Sequence, residues 1–135
     1  MQPILLDTGV IFALLDPDER AHARCVRALQ GLFRPLVTCE AVVNESCYLL
    51  RHRPDAVDAL LANFASGLFQ IRFDLMNSVV QVQKLLEKYR DTPADFADAC
   101  LIQMADELDT GDILTLDSDF RHYRWRRNRT FQFLV

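Results

Sequence analysis

Only four glycines and five prolines punctuate the 135 residues. That scarcity argues against a loop-rich chain or an all-β fold with many tight turns. The four cysteines, Cys25, Cys39, Cys47 and Cys100, form no CxxC pair. They also share no zinc-like spacing with His22, His52 or His122. They read as reduced, buried small hydrophobes of a cytosolic protein. No apolar run approaches the roughly 20 residues that span a bilayer, so no membrane is expected. Ile4-Leu5-Leu6 runs straight into Asp7, so no signal peptide is expected at the start. Lysine is nearly missing: Lys84 and Lys88 are the only two.

What the chain has is core material. Half of its residues are hydrophobic and a quarter charged, enough for one globular domain over 1–135 without disordered bias. The net charge of −4 is unevenly spread. Residues 121–129 hold five arginines and no acid, which leaves the remainder at −9. An acidic body wants a cation, and the basic strip is a candidate phosphate contact, with Arg121, Arg124 and Arg126 foremost. Tyr123 and Trp125 could stack on bases there. An ordinary solvated loop, a dimer interface or a lead into the last strand explains the strip equally well.

Short apolar runs alternate with helical patterns. Ile4–Leu6 is strand one, and Thr8 caps a helix over Gly9–Leu15. Asp16-Pro17-Asp18 breaks that helix before another at about Glu19–Leu32. Pro35–Thr38 is strand two, followed by a helix over about Glu40–Arg51. Pro54 opens the next, with Val57, Leu60, Leu61 and Phe64 on one face. Leu68–Phe73 supplies strand three. A long helix covers about 75–90, its stripe formed by Leu75, Val79, Val82, Leu86 and Tyr89. Thr92-Pro93-Ala94-Asp95 starts a helix to about Leu108, with Thr92 as cap and Pro93 at the first position. Gly111 ends the following turn. Ile113–Leu116 is strand four and Phe131–Val135 a fifth. Such a pattern describes an α/β layer with a mostly parallel, doubly covered sheet.

Ligands of an open parallel sheet bind at the carboxyl ends of its strands. Asp7 follows strand one and Asp117 follows strand four. Glu45 lies early in the helix leaving strand two, with Glu40 as a competitor. Asp98 sits in the second turn of a helix that must begin near the same edge, because Asp109–Asp112 is a short link into strand four. Close carboxylates repel and take up protons unless something positive joins them. A hard divalent ion is the natural neutraliser; Mg²⁺ or Mn²⁺ would also serve phosphodiester hydrolysis. Each acid has a plainer reading as a turn or solvated residue, and Asp95 reads better as a helix-start acid than as a ligand. The signal is in the set.

Four segments carry a resemblance over essentially the whole chain. They are Ile4-Leu5-Leu6-Asp7-Thr8, Thr38 through Glu45 to Leu50, Asp95-Phe96-Ala97-Asp98-Ala99-Cys100-Leu101-Ile102, and Ile113-Leu114-Thr115-Leu116-Asp117-Ser118-Asp119-Phe120. Together they resemble the PIN domain, specifically its VapC-like toxin ribonucleases. The resemblance implies a three-layer α/β/α sandwich and a Mg²⁺- or Mn²⁺-dependent ribonuclease in the cytoplasm. Its site acids would be Asp7, Glu45, Asp98 and either Asp117 or Asp119, with Thr8 and Thr115 orienting a carboxylate or water. It also implies a homodimer, an RNA substrate cut to a 3′-hydroxyl and a 5′-phosphate, and a small antitoxin covering the acidic pocket.

Other readings fit less well. Asp7-Thr8-Gly9 matches the triplet of retroviral-type aspartic proteases, but those are β-rich and need glycine-rich flaps. A receiver domain needs a lysine after a late strand, and none follows Lys88. A catalytically silent PIN-fold scaffold and a housekeeping PIN nuclease outside any toxin–antitoxin pair remain as alternatives.

Overall fold

Ile4, Leu5 and Leu6 are fully buried, and together they form the central strand of the molecule. The computed structural model describes residues 1–92 and 94–135. In chain order the elements are β1 (Ile4–Leu6), α1 (Thr8–Leu15), α2 (His22–Gln30), β2 (Leu36–Thr38), α3 (Glu40–Leu49) and α4 (Pro54–Ala65). There follow β3 (Phe69–Ile71), α5 (Leu75–Lys88), α6 (Phe96–Leu108), β4 (Asp112–Leu114) and a 3-10 turn (Ser118–Arg121). A short hairpin, β5 (Arg124–Trp125) and β6 (Arg129–Thr130), precedes β7 (Gln132–Phe133).

Five strands form one sheet in the order β3-β2-β1-β4-β7, and every pair is parallel. Right-handed crossovers fix the layers. The steps from β1 to β2 and β2 to β3 move one way across the sheet and put α1–α4 on one face. The step from β3 back across to β4 puts α5 and α6 on the other. The packing agrees: α1 lies on α2, α3 and α4, while α5 packs on α6 and α6 reaches β1. This is the three-layer α/β/α sandwich expected from the sequence. Strands covered on both faces have no need to alternate, which is why β1 and β2 are buried throughout.

Several boundaries differ, each for a physical reason. Asp7, not Thr8, caps α1: its Oδ1 accepts the Thr8 amide at 2.8 Å, and Thr8 is already helical. The second helix is shorter than expected, because residues 17–20 form turns. Asp95, not Thr92, caps α6 through a reciprocal box with Asp98; Pro93 lies outside the described residues. The turn after α6 is made by Asp109, left-handed at φ 54°. Gly111 has a different duty. A Cβ there would overlap the Trp125 indole, so glycine lets the hairpin lie against the start of β4.

The buried stripe of α5 also differs from expectation. It runs through Ser78, Val82 and Tyr89, whereas Val79 is 45% exposed. Ser78 can go inward because its hydroxyl donates to Glu107 of α6, and the exposed Val79 and Val80 that follow it blur the hydrophobic period. In α4, Leu60 is buried but Leu61 faces out. Among the described residues, no helix is long and apolar enough to cross a membrane.

Candidate active site

Strand order turns back at β1, whose neighbours are β2 and β4. At such a reversal the outgoing connections part and leave a crevice at the carboxyl edge. The Asp7 amide still bonds the Leu114 carbonyl at 3.0 Å, so the ends of β1 and β4 are held together there. Asp7, Thr8, Glu45, Asp95, Asp98, Leu116 and Asp117 line one cleft in that crevice.

Asp7 is almost wholly buried and both its oxygens are fixed. Oδ1 takes the Thr8 amide, and Oδ2 takes the Thr115 hydroxyl at 2.7 Å. Thr115 Oγ1 in turn accepts the Asp117 amide at 3.0 Å, so one hydroxyl sets two acids. Glu45 reaches the cleft from the second turn of α3, where its Oε2 accepts the Thr8 hydroxyl at 3.1 Å. Asp98 is the third residue of α6. Its Oδ2 accepts the Asp95 amide at 3.3 Å and the Tyr123 hydroxyl at 3.2 Å.

Burial above all raises the pKa of Asp7, and the charges of Asp117 and Asp95 push it the same way. Glu45 is raised by burial and by Asp95. Asp98 rises from 3.8 to about 7, chiefly through burial and then through Asp95, although the Asp95 amide and Tyr123 pull it down. The cluster therefore favours retaining protons at the expense of its own charge.

The cleft brings Asp7, Glu45, Asp98 and Asp117 to one place, with Asp117 rather than Asp119 at its wall. Asp119 stands behind, its amide donating to Asp117 Oδ1 at 2.9 Å. The sequence marks Asp95 only as a helix-start acid. It is that cap, and it also faces the cleft. The arginines lie apart. The Arg124 guanidinium donates to the carbonyls of Arg121 and Tyr123, and that of Arg126 pairs with Asp109 at 3.1 Å. Sequence reasoning missed the bond from Tyr123 to Asp98, which spans 25 residues and leaves no local pattern.

The donor set is all oxygen and anionic, with no lysine or arginine in the cleft wall. That chemistry fits a hard divalent cation better than a soft one. Among the described residues, no three His, Cys, Asp or Glu side chains are gathered tightly enough to form a ready coordination shell.

The PIN domain pattern matches residues 4–126. The ribonuclease VapC26 of Mycobacterium tuberculosis is 31% identical over 122 residues, covering 89% of each chain. The crystal structure of VapC20 of Mycobacterium tuberculosis, a toxin that cleaves the sarcin–ricin loop, superimposes with a TM-score of 0.78. It covers 86% of this chain and 91% of its own at 19% identity, a likeness of fold.

Proposed function

The chain belongs to the PIN-domain family, and from that premise we propose that it is a divalent-metal-dependent endoribonuclease, the toxin of a toxin–antitoxin pair. The observation that carries this reading is the convergence of Asp7, Glu45, Asp98 and Asp117 on one cleft whose lining includes no cationic side chain. The naming of the 31%-identical relative as a ribonuclease supports RNA as the substrate class. On this reading the protein acts in the cytoplasm as a homodimer, and a small antitoxin protein covers the cleft.

The four acids would hold Mg²⁺ or Mn²⁺, which supplies the positive charge that phosphodiester hydrolysis requires. The chain's own groups do the positioning. Thr115 and the Thr8 amide fix the Asp7 carboxylate, and Tyr123 and the Asp95 amide turn Asp98 so that Oδ1 is left for the cleft. Thr8 steadies Glu45. Water gives up a proton as its oxygen bonds to phosphorus and the P–O3′ bond breaks; the departing O3′ takes up a proton in its place to become a 3′-hydroxyl, and the phosphate stays on the 5′ end.

Cleavage of structured RNAs by purified protein tests this. Asp7→Asn and Asp98→Asn keep shape and remove charge, so each is expected to abolish cleavage while the fold persists. Chelation should stop the wild type and Mg²⁺ or Mn²⁺ should restore it. Full activity in both variants would end the proposal.

A further inference from the structure

Leu116 is a wall between two clefts. On one side are the acids; on the other, a cleft of about 240 Å³ is lined by Arg24, Thr115, Ser118, Arg121 and Phe133. Its two guanidinium groups come from distant elements, α2 and the 3-10 turn. Neither makes an ion pair or a side-chain hydrogen bond among the described residues, although Arg34, Arg53, Arg90 and Arg126 each pair with an acid. Arg121 is steadied over the Phe133 ring at 5.5 Å. Leu116 and Val135 complete the lining; Arg24, Arg121 and Ser118 share it with no Asp or Glu side chain.

The short segment 115–118 joins the two clefts. Thr115 Oγ1 donates to Asp7, Leu116 walls both clefts, Asp117 faces the acids and Ser118 faces the arginines. Because the two clefts share the Leu116 wall, a strand running from one to the other would meet the acids with one phosphate and Arg24 and Arg121 with another. We propose that the Arg24–Arg121 cleft is a phosphate subsite for RNA, gripping a backbone phosphate beside the scissile one and so setting the strand's register over the acids. Guanidinium forks suit phosphate oxygens, and their pairing with the backbone is independent of sequence. Arg24 and Arg121 act as positioning residues, and the inference rests on the nuclease reading above.

The test uses a fluorescein-labelled, mixed-sequence, single-stranded RNA of about 12 nucleotides and the full chain carrying Asp7→Asn, so that bound RNA survives. Anisotropy titrations at several salt concentrations give Kd and its salt slope. Adding Arg24→Ala and Arg121→Ala together should weaken binding at least 10-fold at low salt. The slope should fall by about 0.7 for each phosphate that is no longer neutralised, while Arg24→Lys keeps most of it. Melting temperatures of all variants exclude misfolding. Absence of binding by the parent, or an unchanged Kd and slope in the double variant, overturns the subsite. So does a loss seen only with polyglutamate, which would assign the cleft to an acidic protein. Cleavage of structured RNAs by wild type, run alongside, separates the readings. Weakened binding without wild-type cleavage sinks the nuclease and spares the subsite; cleavage with unaltered binding does the reverse.

Discussion

The Tyr123 hydroxyl donates to Asp98 Oδ2 at 3.2 Å, joining the segment before the hairpin to the first turn of α6. Tyr123 is wholly buried, its ring set edge-on against Tyr89 and Phe120, so the hydroxyl has little freedom to leave. An acid among the apolar residues that open α6 is thus aimed from outside that helix.

Tyr123→Phe removes the donor and keeps the ring. Stability should fall by about 1 kcal/mol or somewhat more. The bond also holds the Asp98 carboxyl down, so its loss should move the acidic limb of the RNA-cleavage profile to higher pH. A superimposable profile would show that Tyr123 only packs.

Thr115→Val keeps the volume while deleting both a donor to Asp7 and an acceptor for the Asp117 amide. Cleavage should drop by about 10- to 100-fold, the usual cost of removing a group that orients a ligand. Thr115→Ser should retain most activity. Equal losses in both variants would tie Thr115 to packing instead.

Stability without metal should depend on pH in an uncommon direction. Most folded carboxylates lie low, but Asp98 lies at about 7 against 3.8 when unperturbed, and Asp7 and Glu45 are raised too. Between those limits the folded chain holds a proton that the unfolded chain has released. Their contribution is full at low pH and lost as pH rises through the folded values. Thermal melts in chelator should therefore be highest near about pH 5 and lower by roughly 5 °C or more at about pH 8. Millimolar Mg²⁺ or Mn²⁺ should recover most of that loss by binding the folded form. A chelated protein that gains stability across this range would contradict the account.

Much of the fold and site is legible in the residues. Ile4–Leu6 ending in Asp7 and Ile113–Leu114 leading to Asp117 mark both strands and two acids, because a doubly covered strand must be apolar throughout. Asp98 is readable as a costly charge among apolar neighbours. What is not legible depends on distant partners. The inward face of α5 turns on Ser78 finding Glu107. Asp95 looks like a cap because it is one, and only the folded edge turns it toward Glu45 and Asp98. The five arginines make one run in sequence, yet a hairpin turn with positive φ at Arg126 and Arg127 scatters them, and Arg24 arrives from another helix.

Gly111→Ala tests how the hairpin is seated. The new Cβ would overlap the Trp125 indole, and overpacking of that kind costs about 1–3 kcal/mol. The melting temperature should fall by several degrees, with cleavage retained at low temperature. An unchanged melt would mean that the hairpin shifts freely.

Manganese titration into the chelator-stripped protein, followed by calorimetry, probes the shared acidic cleft most directly. Wild type should bind Mn²⁺, and Asp7→Asn and Asp98→Asn should each weaken binding by at least about 10-fold. Undiminished affinity in both variants would mean that these carboxylates do not hold the ion.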